Sequence, residues 1–70
     1  MKTKGDFSVR FEAMLPGAIQ AIREEAEEVL SGGAEQQLEK VEDEQKFDAL
    51  CVDVMGAAML NAGNRLLEKR

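Results

Sequence analysis

Carboxylates are the side chains in this sequence whose spacing best suits chemistry. Glu24, Glu25 and Glu28 form an E-E-x-x-E pattern, and on a helix Glu28 lies about one turn from both Glu24 and Glu25. Hard oxygen ligands at that spacing suit Mg²⁺, and Asp48 supplies a further carboxylate where the next apolar segment begins. Carboxylate chemistry is therefore the one enzymatic option that the sequence offers. The alternative is a solvated acidic helix face.

Over residues 16–62 this pattern resembles the all-α nucleotide pyrophosphohydrolases of the MazG and phosphoribosyl-ATP pyrophosphatase type. In that family an E-E-x-x-E on one helix and an E-x-x-D on the next hold magnesium against the phosphates of a nucleotide. Here the second motif is Gln45-Lys46-Phe47-Asp48, with Gln45 in place of the first acid. The resemblance implies a Mg²⁺-dependent pyrophosphohydrolase, with Mg²⁺ as the cofactor under this hypothesis alone. The metal ligands that the resemblance implies are Glu24, Glu25, Glu28 and Asp48.

The N-terminal residues support a different hypothesis. Phe7, Val9 and Phe11 alternate with polar residues, which is the period of a half-buried strand. This alternation resembles the ribbon of ribbon-helix-helix repressors, in which paired strands of a dimer enter the major groove. The resemblance implies base contacts from Ser8 and Arg10 and phosphate contacts from Lys2 and Lys4. The same segment also fits the start of a helix that places Phe7 and Phe11 on one face, and both alternatives stay open.

Negative charge is concentrated in the middle of the chain. The net charge is −5, and residues 23–48 carry three basic against ten acidic residues, whereas each flanking segment has a net charge of +1. An acidic surface repels nucleic acid and steers a basic protein surface toward it. We therefore expect an unidentified partner protein with a basic surface, and predict partner-binding residues at Glu24, Glu25, Glu27, Glu28, Glu39, Glu42 and Asp43.

Apolar periodicity predicts two helices in a single domain that spans residues 1–70. The first covers about 16–30 and ends at Ser31-Gly32-Gly33, since glycine accepts the left-handed conformation found at helix C-termini. The second covers about 35–67, with a possible break near Gly56 or Gly63. Residues 1–6 are polar and predicted to be loose. The expected fold is an all-α two-helix hairpin with a short N-terminal appendage, extended or helical.

The second predicted helix is apolar over more than half of its circumference, which exceeds the arc of about 100° that a surface helix needs. A chain of this length also buries only a thin core and has no disulfide to reinforce it. We therefore expect two copies to complete a four-helix core by homodimerisation. The predicted dimer interface comprises Phe47, Leu50, Val54, Met55, Ala58, Met59 and Ala62.

Other catalytic chemistry has little support in the sequence. There is no histidine and no tyrosine, and the one cysteine, Cys51, lies on the apolar face and is interpreted as a buried hydrophobic residue. We expect no enzyme, no cofactor and no membrane segment, and a cytoplasmic location. The predicted function is protein–protein binding by a small acidic homodimer that acts as a regulator or inhibitor. The ribbon-type repressor is the alternative, and the pyrophosphohydrolase is the third hypothesis.

Overall fold

The computed structural model describes residues 2–68, and every regular element in that range is a helix. Helix α1 spans Lys4–Met14, α2 spans Gln20–Val29, α3 spans Glu35–Lys40 and α4 spans Glu44–Glu68. A π-type turn, Leu30–Ala34, connects α2 to α3. The predicted all-α fold class is confirmed. The finer arrangement, a two-helix hairpin whose core a second copy completes, stays a prediction.

Helix α1 begins at a capping box formed by Thr3 and Asp6. The Asp6 N–H donates to Thr3 Oγ1 over 3.2 Å, and the Thr3 N–H donates to Asp6 Oδ2 over 2.8 Å. These reciprocal bonds satisfy backbone donors that a helix start leaves free. Residues 7–11 are therefore helical, with Phe7 and Phe11 buried one turn apart. The prediction that residues 1–6 are loose is wrong from Lys4 onward, while residue 1 lies outside the described range.

The first predicted helix starts later than expected, at Gln20 instead of residue 16. Pro16 and Gly17 lie in a turn after α1, and Gly17 has a φ of 78°, a left-handed conformation that favours glycine. The backbone stays extended at Ile19, which precedes the first residue of α2. The sequence Pro16-Gly17 thus separates two helices and does not open the second.

The second predicted helix is divided, but not at a glycine. Helix α3 ends at Lys40, Val41 is extended, and the Oδ1 atom of Asp43 accepts a 2.7 Å hydrogen bond from the N–H of Gln45 in the first turn of α4. Capping by Asp43 starts a new helix there. Gly56 and Gly63 lie inside an unbroken α4, although each costs roughly 1 kcal/mol relative to alanine.

The core forms where α4 packs chiefly against α2 and also against α1. Contacts between α1 and α4 advance together along both helices, from the Arg10–Asp48 ion pair to Met14 beside Val52, so these helices run in the same direction. No helix among residues 2–68 has the length and apolarity that crossing a membrane requires. The buried apolar residues are Phe7, Phe11, Ala26, Leu30, Leu38, Phe47, Cys51, Val54, Met55, Ala58 and Ala62.

Candidate functional site

The four glutamates of α2 have different surroundings although they are adjacent in sequence. Glu25 is buried, and its Oε2 lies 2.9 Å from Nη1 of Arg65 on α4. Glu27 is exposed, and its Oε2 lies 3.1 Å from Nζ of Lys4 on α1. These pairs offset the unfavourable interaction of negative charge with the C-terminal half of α2. Glu24 and Glu28 are exposed and form no ion pair within residues 2–68.

The predicted partner-binding residues that lie beyond α2 have two kinds of position: one caps a helix, and the others are exposed. Asp43 caps α4 as described, a structural role that the charge pattern did not indicate. Glu39 on α3 and Glu42 in the following linker are exposed, and neither pairs with a cation in the part of the chain that the structure describes. Of the predicted partner-binding residues, Glu24, Glu28, Glu39 and Glu42 therefore present to solvent carboxylates that have no cationic partner within residues 2–68.

Most of the described cations are held by carboxylates of the same chain. Lys2 pairs with Glu44, and Arg10 lies between Glu44 and Asp48, at 3.6 Å and 3.1 Å respectively. Between residues 2 and 68, only Lys40 and Lys46 lack an ion-pair partner. The cations that have one are Lys2, Lys4, Arg10, Arg23 and Arg65. The charge that remains exposed without a partner is therefore mostly negative.

The ribbon predicted for residues 7–11 is not present, because this segment belongs to α1. Ser8 is an exposed helical residue, and the two predicted phosphate contacts, Lys2 and Lys4, are paired with Glu44 and Glu27. Arg10, predicted to contact bases, is bound to carboxylates of α4. The strand alternative is thus wrong, since Phe7 and Phe11 are needed on one helical face to cover the core.

The predicted metal ligands do not converge. Glu25 is directed to Arg65 and Asp48 to Arg10, while Glu24 and Glu28 face solvent on α2. No group of three or more acidic or cysteine side chains suited to holding a metal ion occurs within residues 2–68. The one-turn spacing of the E-E-x-x-E pattern is therefore present on α2, but the carboxylates predicted to share one ion have different neighbours.

A groove of about 500 Å³ lies between α1 and α2, and sequence analysis did not predict it. Its rim includes an ion pair between Arg23 and Glu12, and the hydrogen bond from Arg23 lowers the pKa of Glu12. The groove brings the unpaired Glu24 next to apolar side chains. Its apolar lining residues are Phe7, Phe11, Ala26 and Leu30, and its polar lining residues are Ser8, Glu12, Gln20, Arg23, Glu24 and Glu27.

Most of the predicted dimer interface lies inside the single chain. The residues of that set that α1, α2 and the neighbouring segments already cover are Phe47, Val54, Met55, Ala58 and Ala62. Leu50 is half-buried, and Met59 retains 45% of its surface. These five residues pack against their own chain, which corrects the prediction that they contact a second copy. Burial also raises the pKa of the Cys51 thiol, as expected of a cysteine in the core.

Comparison with known proteins adds no relative from which a function can be transferred. The chain matches no protein-family model, no curated protein and no solved structure.

Proposed function

We propose that this protein acts by binding another protein, as a homodimer that regulates or inhibits a partner with a basic surface. The observation that carries the proposal is the combination, on one side of the molecule, of carboxylates without an ion-pair partner in residues 2–68 and a groove with both apolar and polar lining residues. Glu24 borders the groove between α1 and α2, and Glu28 follows one turn later on the same exposed face of α2.

The chemistry of this surface favours a basic amphipathic segment. Apolar side chains of such a segment fit a groove lined by Phe7, Phe11 and Leu30, and its lysine or arginine side chains pair with carboxylates at the rim. Complementary charge accelerates association and selects among partners more than it adds affinity. We therefore expect binding to weaken as the salt concentration rises.

The test uses charge reversal at residues that take no part in folding contacts. Glu24→Lys and Glu28→Lys, singly and together, are compared with wild type in affinity capture from the native host, and then with the purified partner by calorimetry. Glu68→Lys is the matched control because Glu68 is also an exposed helical glutamate but belongs to α4 and lies outside the predicted partner-binding set. We expect the double variant to lose capture while the control retains it. Equal capture by all variants would contradict the proposal.

A further inference from the structure

Helix α4 has a second apolar face that the described chain covers only in part, where Met14 and Leu15 at the end of α1 lie beside it. Its residues follow a heptad pattern in which large side chains alternate with small ones, and all of them are exposed. Val52, Met59 and Leu66 are 54%, 45% and 53% exposed. The full set, called the exposed heptad face below, consists of Ala49, Val52, Gly56, Met59, Gly63 and Leu66.

The glycines of this face have no evident purpose within one chain. A Cβ atom added at Gly56 or Gly63 would meet no atom within 4 Å, so neither glycine makes room for a neighbouring element of the described chain. Both also lie within α4, where glycine is unfavourable. Glycine at such positions permits another backbone to approach closely.

From these features we infer that the exposed heptad face binds the same face of a second copy, with the two α4 helices antiparallel. In an antiparallel coiled coil, positions a and d face each other. One register then places every large residue opposite a small one of the second copy: Val52 opposite Gly63, Met59 opposite Gly56 and Leu66 opposite Ala49. A parallel pair would instead place glycine opposite glycine and leave voids.

Both the lack of charge on this face and the apolar area that it exposes favour a second copy of the chain as its binding partner. The heptad face carries no charged side chain, and antiparallel helices bring opposite ends of their dipoles together. Leu60 and Leu67 flank the face and are 67% and 61% exposed. With them, each copy contributes apolar surface on the order of 500 Å², so that a dimer buries about 1,000 Å², the lower bound for a specific interface.

A groove beside this face extends the proposed contact. Met14 and Leu15 at the end of α1 and Val52, Met55, Gly56 and Met59 of α4 line an apolar depression of about 240 Å³. The side chains that project from the second copy's α4 enter this depression. The inference specifies the interface of the proposed homodimer and does not depend on the partner protein or on the acidic surface.

Sedimentation equilibrium on the purified protein from about 1 to 500 μM tests self-association, because an interface of this size corresponds to a weak dimer. We expect a monomer–dimer equilibrium whose dissociation constant rises at least about tenfold in Met59→Glu. Gly56→Leu should weaken the dimer similarly, since the added side chain prevents close approach of the second helix, and its Cβ atom meets no atom of the described chain within 4 Å. Val9→Glu is the control, because Val9 is 73% exposed on α1 and distant in sequence from this face.

Oxidative cross-linking tests the orientation. A mixture of the Val52→Cys and Gly63→Cys proteins should form a disulfide-linked heterodimer, whereas Val52→Cys alone should not, since its two copies lie about 16 Å apart along antiparallel helices. The buried Cys51 serves as the internal control in wild type. A monomer at all concentrations, cross-linking of Val52→Cys alone, or unchanged association of Met59→Glu would each overturn the inference. Whether Met59→Glu still captures the partner protein is a test of the proposed function and not of this interface.

Discussion

The ion pair between Glu25 and Arg65 should be the most important electrostatic contact for stability. It joins α2 to α4 over 2.9 Å, and the Glu25 side chain is only 8% exposed. Arg65→Met replaces the aliphatic part of the arginine side chain with an unbranched apolar one but leaves the Glu25 carboxylate buried without its donor. Breaking a fully buried pair costs about 3–5 kcal/mol, whereas an exposed pair contributes about 0–1 kcal/mol.

The expected loss lies between these limits, because the Arg65 side chain is 39% exposed and water screens part of the interaction. A loss of about 2 kcal/mol agrees with the usual value for a hydrogen bond to a charged group. For a domain of this size it should lower the melting temperature by about 8–16 °C. Such a loss is a large part of a total stability of roughly 4–10 kcal/mol.

Chemical denaturation followed by circular dichroism, at one fixed protein concentration, measures this change. Lys4→Met is the matched control, because the Lys4–Glu27 pair has nearly the same length, 3.1 Å, but both side chains are substantially exposed. We expect that control to lose less than about 1 kcal/mol. A double-mutant cycle with Glu25→Gln should give a coupling energy of at least about 1 kcal/mol. If Arg65→Met and Lys4→Met destabilise equally, burial does not set the strength of these pairs and the reasoning fails.

Two further predictions concern the start of α1 and the core. Hydrogen bonds from Thr3 lower the pKa of Asp6 below its ordinary value of 3.8, so this contribution to stability is complete above that value and is lost as the pH falls through the lower folded pKa. Asp6→Ala should therefore reduce the loss of stability between pH 5 and pH 2 in acid titrations, and an unchanged profile would contradict this assignment. Leu38→Ala removes a fully buried side chain of the short helix α3 and should cost about 2–5 kcal/mol in urea unfolding. A loss below about 1 kcal/mol would indicate that α3 is not anchored by Leu38.

Periodicity predicted that the molecule is helical, but the helix ends depended on side-chain hydrogen bonds that periodicity does not encode. Thr3 and Asp6 form a capping box three residues apart, and this pattern was visible in the sequence. Asp43 caps α4 by accepting from the N–H of Gln45, so the chain breaks there and not at Gly56. Short-range capping chemistry thus determined boundaries that apolar spacing placed several residues away.

The wide apolar arc of α4 was recognised from sequence, but its division between two faces was not. Phe47, Val54 and Ala58 lie on the side that α1 and α2 cover, while Val52 lies on the opposite edge of the arc. Periodicity gives the angular position of each residue on the helix. It does not say which neighbouring helix packs against that position. Only the placement of α2 and of α1, the latter dependent on Phe7 and Phe11 being helical, shows which part of the arc the chain covers itself.

The two surfaces on which the proposals depend have a common origin in how the chain uses its charges. Arg10 and Arg65 both form ion pairs between helices, and these ion pairs fix α1 and α2 on one side of α4. The same pairs occupy positive charge of the exterior, so that among the described residues Glu24 and Glu28 have no cationic partner. Because α1 and α2 are fixed there, the exposed heptad face of α4, whose six residues carry no charge, stays open to a second copy, and like charges at a close interface would be unfavourable. The ion pairs inside one chain therefore favour both an acidic binding surface and an apolar contact between copies.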